Sequence, residues 1–263
     1  MAMSPRKRAR LSRGIQYVLL AVIVLVAALL ADWATIQDDF FDPQILRAMW
    51  PDVILTALKN TVLYTACGFA FGLVLGLVLA LMRLSRVGPY RWLATGFIDF
   101  FRGVPALVVF IAFGLGVPLA FQHEVPGGTL GVATLALGMV GGAYMAETIR
   151  AGIQAVPKGQ MEAARSLGMS QGRAMRSIVI PQAFRIILPP LTNELILLTK
   201  DSSLIYVLGY TAATLELTAF GREVLNQEKN LTPLVGIGLC YLMITIPLSI
   251  VVRRMEARAE KAR

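Results

Sequence analysis

The sequence predicts an all-α integral membrane protein with six transmembrane helices and both termini in the cytoplasm. Hydrophobic residues make up 56% of the 263-residue chain and charged residues only 16%, a balance outside the range of soluble domains. Several charge-free runs approach or exceed the roughly 20 residues that one helix needs to cross a bilayer. The basic residues are concentrated in every second connection between these runs, which sets their orientation.

The first hydrophobic run covers residues 15–31 and follows the basic string RKRARLSR, which raises the alternative of a cleaved signal peptide. Its apolar part is longer than the usual h-region of about 7–15 residues. The string LLADWAT at its end offers no small-x-small cleavage site. We therefore expect an uncleaved first transmembrane helix.

Four further runs are free of charged residues and long enough to span a bilayer: residues 61–82, 103–122, 125–146 and 230–252. A sixth run, residues 186–209, is long enough but is interrupted by Glu194, Lys200 and Asp201. We expect Pro189 and Pro190 to open this sixth helix, because proline is tolerated in a first helical turn.

Small residues within the membrane runs point to close packing. Gly68, Gly72 and Gly76 recur every four residues, a spacing that allows two helices to approach closely, either within the chain or between two chains. We favour packing within the chain. Cys67 and Cys240 also fall inside membrane runs, where they are interpreted as small buried hydrophobic residues.

The distribution of charge favours an N-terminus in the cytoplasm. With six helices, most of the 25 Lys and Arg residues then lie inside, in the N-terminal segment, the connections after the second and fourth helices, and the tail. The opposite loops DWATIQDDFFDP and HEVPGG are acidic or neutral. This bias accounts for the net charge of +9, so a nucleic-acid partner is not needed.

The longest cytoplasmic segment, residues 150–185, contains the string GQMEAARSLGMSQGRAMRSIVIPQ at 159–182, named here the cytoplasmic elbow. A narrow apolar stripe of helical spacing is formed by Met161, Ala164 and Leu167. Gly168 follows this stripe at the place where a helix end favours a left-handed residue. A short helix over 160–167 with a sharp glycine turn is predicted.

A second short helix is predicted after the turn. Ser170 can cap its start, and we expect Pro181 to end it. The exposed face of the cytoplasmic elbow has mixed charge, carried by Glu162, Arg165, Arg173 and Arg176. An ordinary amphipathic loop lying on the membrane surface is the alternative interpretation.

The cytoplasmic elbow resembles the EAA loop of ABC importer permeases. The matching pattern is Glu162-Ala163-Ala164, then Gly168 after three residues, Ile178 after nine more, and Ile180-Pro181 after one more. The position before the proline is usually leucine and is Ile180 here, a change that keeps volume and apolarity.

Other segments resemble the polar amino acid branch of these permeases: FRGVPALV, GAYMAETIRAGIQAVPKGQ, PQAFRIILPPLTN and KDSSLIYVLG. The resemblance implies a five-helix permease domain over 53–256 with its coupling loop at 150–185. Residues 1–52 then form a basic cytoplasmic N-terminus, an added first helix and an acidic outer loop. Residues 257–263 form a basic cytoplasmic tail.

In that family the elbow is a coupling helix seated in a groove of a cytoplasmic ABC ATPase subunit. The resemblance therefore assigns ATPase contacts to Glu162, Ala163, Ala164, Arg165 and Gly168. It further implies an extracytoplasmic solute-binding protein and a second permease chain, identical or different, in a bacterial inner or plasma membrane. ATP and Mg are used by the partner ATPase, and no cofactor or metal is bound by this chain.

Five ionisable residues fall in or beside the membrane runs: Arg102, Glu147, Glu194, Lys200 and Asp201. Each costs about 2.5–3.5 kcal/mol at the bilayer centre, so they must face protein, water or one another. One interpretation is structural ion pairs, for which Glu147 and Arg150 have the right i, i+3 spacing. The other is a polar substrate path, with Arg102 or Lys200 for a carboxylate and the acidic residues for an ammonium group.

The sequence lacks a phosphate loop, an H-E-x-x-H motif, a G-x-S-x-G elbow and clustered His or Cys residues. Energy for uphill transport must therefore come from a partner or from an ion gradient. The resemblance implies the membrane subunit of an ABC importer for polar amino acids, which is not an enzyme. An ion-coupled secondary transporter is the alternative, although the inverted repeats usual in such folds are not evident.

Overall fold

The computed structural model describes residues 5–209 and 211–261, and this part of the chain contains helices and no β-strand. The helices are α1 (Pro5–Leu30), α2 (Trp33–Phe40), α3 (Pro43–Ala48), α4 (Lys59–Leu84), α5 (Gly88–Gly103), α6 (Ala106–Ile111), α7 (Val117–Phe121), α8 (Gly128–Gln154), α9 (Lys158–Ser166), α10 (Gln171–Ala174), α11 (Ile180–Asp201), α12 (Leu217–Glu228) and α13 (Thr232–Lys261). π-Helical turns at Val53–Leu58, Ala112–Gly116 and Met175–Val179 join neighbouring helices, and a 3-10 helix at Ser202–Leu208 follows α11.

Among the described residues, four helical segments are long and apolar enough to cross a membrane: Ser12–Leu30, Val53–Leu84, Gly128–Gln154 and Thr232–Arg258. A fifth span results if α5 and the segment from α6 to α7, which are bent by 105°, are counted as one. The predicted all-α class is thus confirmed. The count of six helices and the cytoplasmic position of the termini stay predictions.

The core of the fold is the pair α4 and α8, which cross at their glycines. A Cβ added to Gly72 would lie 3.0 Å from the carbonyl oxygen of Gly138, and one added to Gly76 would lie 2.9 Å from that of Gly142. A Cβ on Gly68 would lie 2.6 Å from the Cβ of Leu137. The glycine repeat therefore serves packing within the chain, as predicted, because only hydrogen fits at these contacts.

The third hydrophobic run begins differently from the prediction. The helix α5 continues to Gly103, so Arg102 ends one helix and does not begin the next one. Val104 and Pro105 then have extended backbone conformations, and α6 starts at Ala106 in a new direction. Proline disfavours the helical conformation of the residue before it, which gives a physical reason for the break at this point.

Two predictions about prolines were wrong. Pro181 does not end the second elbow helix, because α10, a π-helical turn and α11 follow one another without a break, and Pro181 lies in the first turn of α11. Pro189 and Pro190 do not open a helix but lie inside α11. Both interior prolines are tolerated because α11 packs against α8 and α13, and tertiary packing compensates for the lost backbone hydrogen bonds.

The acidic segment that contains α2 and α3 is attached to the start of α13. The backbone N–H of Asp42 donates to the Thr232 hydroxyl over 3.0 Å, and the Asn230 side chain donates to the Asp38 carbonyl over 2.8 Å. Ile45 and Met49 are buried against residues of α12 and α13. The helix α1, in contrast, exposes its apolar side chains along the length of its membrane run, such as Val18 and Leu25.

Candidate functional site

A cavity of about 430 Å³ opens where the chain breaks between α5 and α6. The break supplies one wall, and α8 and α11 supply the others. The lining residues are 101–106, Val140, Gly141, Tyr144, Glu194, Leu197, Leu198 and Asp201. An apolar surface with a few convergent polar groups is typical of a small-molecule site.

Three of the predicted substrate-path residues line this cavity. Glu194 and Asp201 are seven residues apart on α11 and reach the cavity from the same face of the helix. Arg102 reaches it from the end of α5. Within the described residues the ion pairs all involve Glu147, so these three charges share one cavity without being joined in a salt bridge.

The guanidinium of Arg102 is held by an aromatic ring. Its Cζ lies 5.3 Å from the ring centroid of Tyr144 on α8, within the distance of a cation–π interaction. Tyr144 is 38% exposed and itself lines the cavity. The positive charge of Arg102 therefore lies beside an aromatic ring at the wall of the cavity.

The other two predicted residues lie outside the lining. Lys200 is exposed beside Asp201. Glu147 accepts hydrogen bonds from Arg83 at the end of α4 and from Arg150, one turn further along α8. The predicted i, i+3 pair between Glu147 and Arg150 is confirmed. The Arg150 guanidinium also donates to Gln154, so this network ties the ends of α4 and α8 together just before the cytoplasmic elbow.

The turn of the cytoplasmic elbow forms as its sequence predicts. Gly168 has a φ of +81°, and the N–H of Met169 donates to the Ala164 carbonyl over 3.1 Å, which closes α9. The Ser170 hydroxyl accepts from the N–H of Arg173 and caps α10. Gln182 donates to Gln160 over 3.3 Å, which connects the two arms of the elbow. The cytoplasmic elbow is therefore a fixed turn and not an extended loop.

The predicted contact residues of the cytoplasmic elbow divide into two groups. Glu162, Ala163, Arg165 and Gly168 are exposed. Ala164 is buried, with 5% of its surface exposed, so it supports the packing of α9 and does not belong to an outer surface. Leu167, the third member of the predicted apolar stripe, is 84% exposed, so it is not packed within this chain as Ala164 is. The exposed face of the cytoplasmic elbow thus carries the apolar side chain of Leu167 together with the charges of Glu162 and Arg165.

Residues 72–261 match the family described as binding-protein-dependent transport system inner membrane component. This chain belongs to that family. It is therefore a component of an inner-membrane transport system and not an enzyme. The family's own description implies a binding-protein partner outside this chain.

Two curated relatives align with most of this chain. The probable glutamine ABC transporter permease protein GlnM of Bacillus subtilis is 39% identical over 206 residues, which is 77% of this chain and 91% of the relative. The arginine transport system permease protein ArtQ of Bacillus subtilis is 35% identical over 207 residues, 78% of this chain and 91% of the relative. Neither relative supports the ion-coupled alternative.

Solved structures confirm the permease fold. A crystal structure of an amino acid ABC transporter with histidines has a TM-score of 0.74 at 34% identity and covers 82% of this chain and 98% of that one. A bacterial ABC transporter involved in alginate import has a TM-score of 0.65 at 10% identity and covers 97% of this chain and 99% of that one. The second likeness shows the fold alone.

Sequence reasoning missed three residues that the geometry brings forward. Tyr144 and Arg83 contact predicted residues from other helices, and such contacts leave no signal in the local pattern. Leu167 was named only as a member of an apolar stripe, and its exposure was not predicted, although it is the last residue before the glycine turn. A side chain at a helix end is more exposed because no further turn of the helix follows to pack beside it.

Proposed function

We propose that this chain is the permease subunit of an ATP-driven ABC importer and that it translocates polar amino acids delivered by an extracytoplasmic solute-binding protein. The cytoplasmic elbow is the observation that carries this proposal. It is a fixed, exposed turn. A chain that has no phosphate loop of its own can use such a turn to dock a separate ATPase subunit. Membership of the family and the relatives named for glutamine and arginine transport support the substrate class.

In the proposed mechanism the exposed face of α9 docks into a cytoplasmic ATPase subunit. Glu162, Ala163 and Arg165 form the contact, with Leu167 as its apolar anchor and Gly168 as the fixed end. Ala164 is the buried residue of α9, and α9 packs against the π-helical turn at Met175–Val179. Because α10 continues into α11 without a break, a push on the elbow is transmitted directly to the helix that carries Glu194 and Asp201.

The cavity is the proposed substrate path. An amino acid presents a carboxylate and an ammonium group, which match Arg102 on one side and Glu194 and Asp201 on the other. Lys200 and Glu147, which lie outside the lining, are assigned no direct contact. The volume of about 430 Å³ falls in the range of small-molecule sites.

The proposed assembly contains two permease chains, and each chain crosses the membrane six times. Two permease chains, identical or different, pair in the membrane, each with one ATPase that uses ATP and Mg. Both termini of a six-helix chain lie in the cytoplasm, with residues 1–52 added before the permease domain at 53–256 and a basic tail at 257–263. The basic connections of the sequence support this orientation.

Charge reversal on the cytoplasmic elbow tests the coupling role. Glu162→Arg is expected to lose about nine-tenths of the ATPase that co-purifies with the permease, since like or unpaired charges in an interface cost several kcal/mol. The matched control is Glu124→Arg, which makes the same change at an exposed site in the connection before α8. Equal co-purification from both variants would remove the elbow from the ATPase interface.

A further inference from the structure

Two cation–π pairs occur in the described part of the chain, and they differ in their surroundings. In one pair the Arg222 guanidinium lies 4.5 Å from the ring centroid of Tyr206, outside the cavity lining. In the other, both Arg102 and Tyr144 line the cavity that also holds two carboxylates. The second pair therefore joins a charged group of the site to an aromatic residue on a different helix.

The contact with Tyr144 leaves hydrogen-bond donors of Arg102 for a ligand. A guanidinium carries five N–H donors, so one aromatic neighbour does not use up its capacity to bind a carboxylate. The guanidinium plane presents a fork of two parallel donors that matches a carboxylate. Arg102 makes no salt bridge with a described acidic residue, although Glu194 and Asp201 line the same cavity.

We propose that Tyr144 is a positioning residue that holds Arg102 in place to receive the carboxylate of an incoming amino acid, an inference that rests on the proposed function. Without the ring, Arg102 is free to turn towards Glu194 or Asp201. An internal ion pair would then occupy both the cationic and the anionic groups needed by a zwitterion. Tyr144 keeps the opposite charges of the cavity apart until substrate joins them.

A purely structural role for Tyr144 would predict different effects of its replacement on substrate binding. If the residue only fills space between α8 and α5, its replacement should act independently of Arg102. If it acts through Arg102, its effect should vanish once Arg102 is gone, and a phenyl ring should replace it, because a cation–π contact does not need the hydroxyl. Binding measurements on the single and double variants separate the two roles.

The experiment measures equilibrium binding of radiolabelled L-arginine, L-glutamine, L-glutamate and L-cystine to the detergent-solubilised permease–ATPase complex. For the amino acid that the unmodified complex binds, Tyr144→Leu is expected to raise Kd roughly fivefold, and Tyr144→Phe to stay within roughly twofold. Arg102→Met is expected to raise Kd roughly tenfold or more. Adding Tyr144→Leu to Arg102→Met should change nothing further.

The matched control is Tyr206→Leu, which removes the other cation–π pair and is expected to leave Kd unchanged. Additive effects of Tyr144→Leu and Arg102→Met, or failure of Tyr144→Phe to preserve binding, would overturn the positioning role while leaving the importer function intact. Binding of none of the four amino acids by the unmodified complex would instead overturn the proposed substrate class, and this inference with it.

Discussion

The acidic residues singled out in the membrane runs take two different arrangements in this structure. Glu147 is fully engaged by Arg83 and Arg150, whereas Glu194 and Asp201 share a cavity with Arg102 without a salt bridge between them. The first arrangement stabilises helix ends, and the second leaves charge available to a ligand. The interpretation as structural ion pairs is confirmed for Glu147 and Arg150, and the substrate path stays a proposal for Arg102, Glu194 and Asp201.

The two carboxylates of the cavity are expected to bind the ammonium group of the substrate. Glu194→Gln and Asp201→Asn each remove one acceptor for a substrate ammonium group, and a charge-assisted hydrogen bond contributes about 1.5–3 kcal/mol. Kd for the transported amino acid is therefore expected to rise roughly tenfold or more in equilibrium dialysis. Glu228→Gln, at an exposed residue that ends α12, is the control. Unchanged binding in both cavity variants would exclude these carboxylates from the substrate path.

A residue of the candidate site could be predicted only where the sequence immediately around it marks it as unusual. Glu194 and Asp201 were identifiable because charges within an apolar run are costly and share a helical face. Tyr144 was not identifiable, because an aromatic residue in a membrane run is unremarkable until the fold brings a cation from another helix above it. Arg83 was likewise assigned only to the cytoplasmic charge bias.

At the scale of the helical element, turn chemistry was predictable and helix length was not. Gly168 and Ser170 fixed the cytoplasmic elbow as expected, since a positive φ and a helix cap are local properties. Pro181, Pro189 and Pro190 misled the prediction of α11, because packing against two neighbouring helices outweighs a local preference. A long continuous helix from the cytoplasmic elbow to the cavity is the consequence.

The contact between α4 and α8 provides a prediction about stability. Gly76→Ala would place a Cβ 2.9 Å from the Gly142 carbonyl oxygen, and this overpacking is expected to cost about 1–3 kcal/mol. Gly96→Ala is the matched control, because its Cβ would meet no atom within 4 Å. The control is expected to be neutral or to stabilise the helix by up to about 1 kcal/mol.

Thermal unfolding of the detergent-solubilised variants, followed by loss of monodisperse protein, measures this difference. A lower midpoint for Gly76→Ala with an unchanged or higher midpoint for Gly96→Ala is the expected pattern. Equal midpoints would mean that α4 and α8 separate easily and that the glycine repeat serves another contact.

For the whole molecule, the proposed contact with an ATPase requires the cytoplasmic elbow to lie on the cytoplasmic side of the membrane. Glu124→Cys and Gln171→Cys, in a chain with Cys67 and Cys240 replaced by alanine, place one thiol before α8 and one at the start of α10. A membrane-impermeant maleimide is expected to label the first in intact cells and the second only after permeabilisation. The reverse pattern would place the cytoplasmic elbow outside and remove any contact with an ATPase.

The most direct test of the account is uptake by sealed vesicles that contain the permease, its ATPase and the matching solute-binding protein. Radiolabelled amino acid should accumulate only when ATP is present on the side of the cytoplasmic elbow, and an ion gradient without ATP should drive none. Accumulation by the permease alone, on an ion gradient and without nucleotide, would contradict the account.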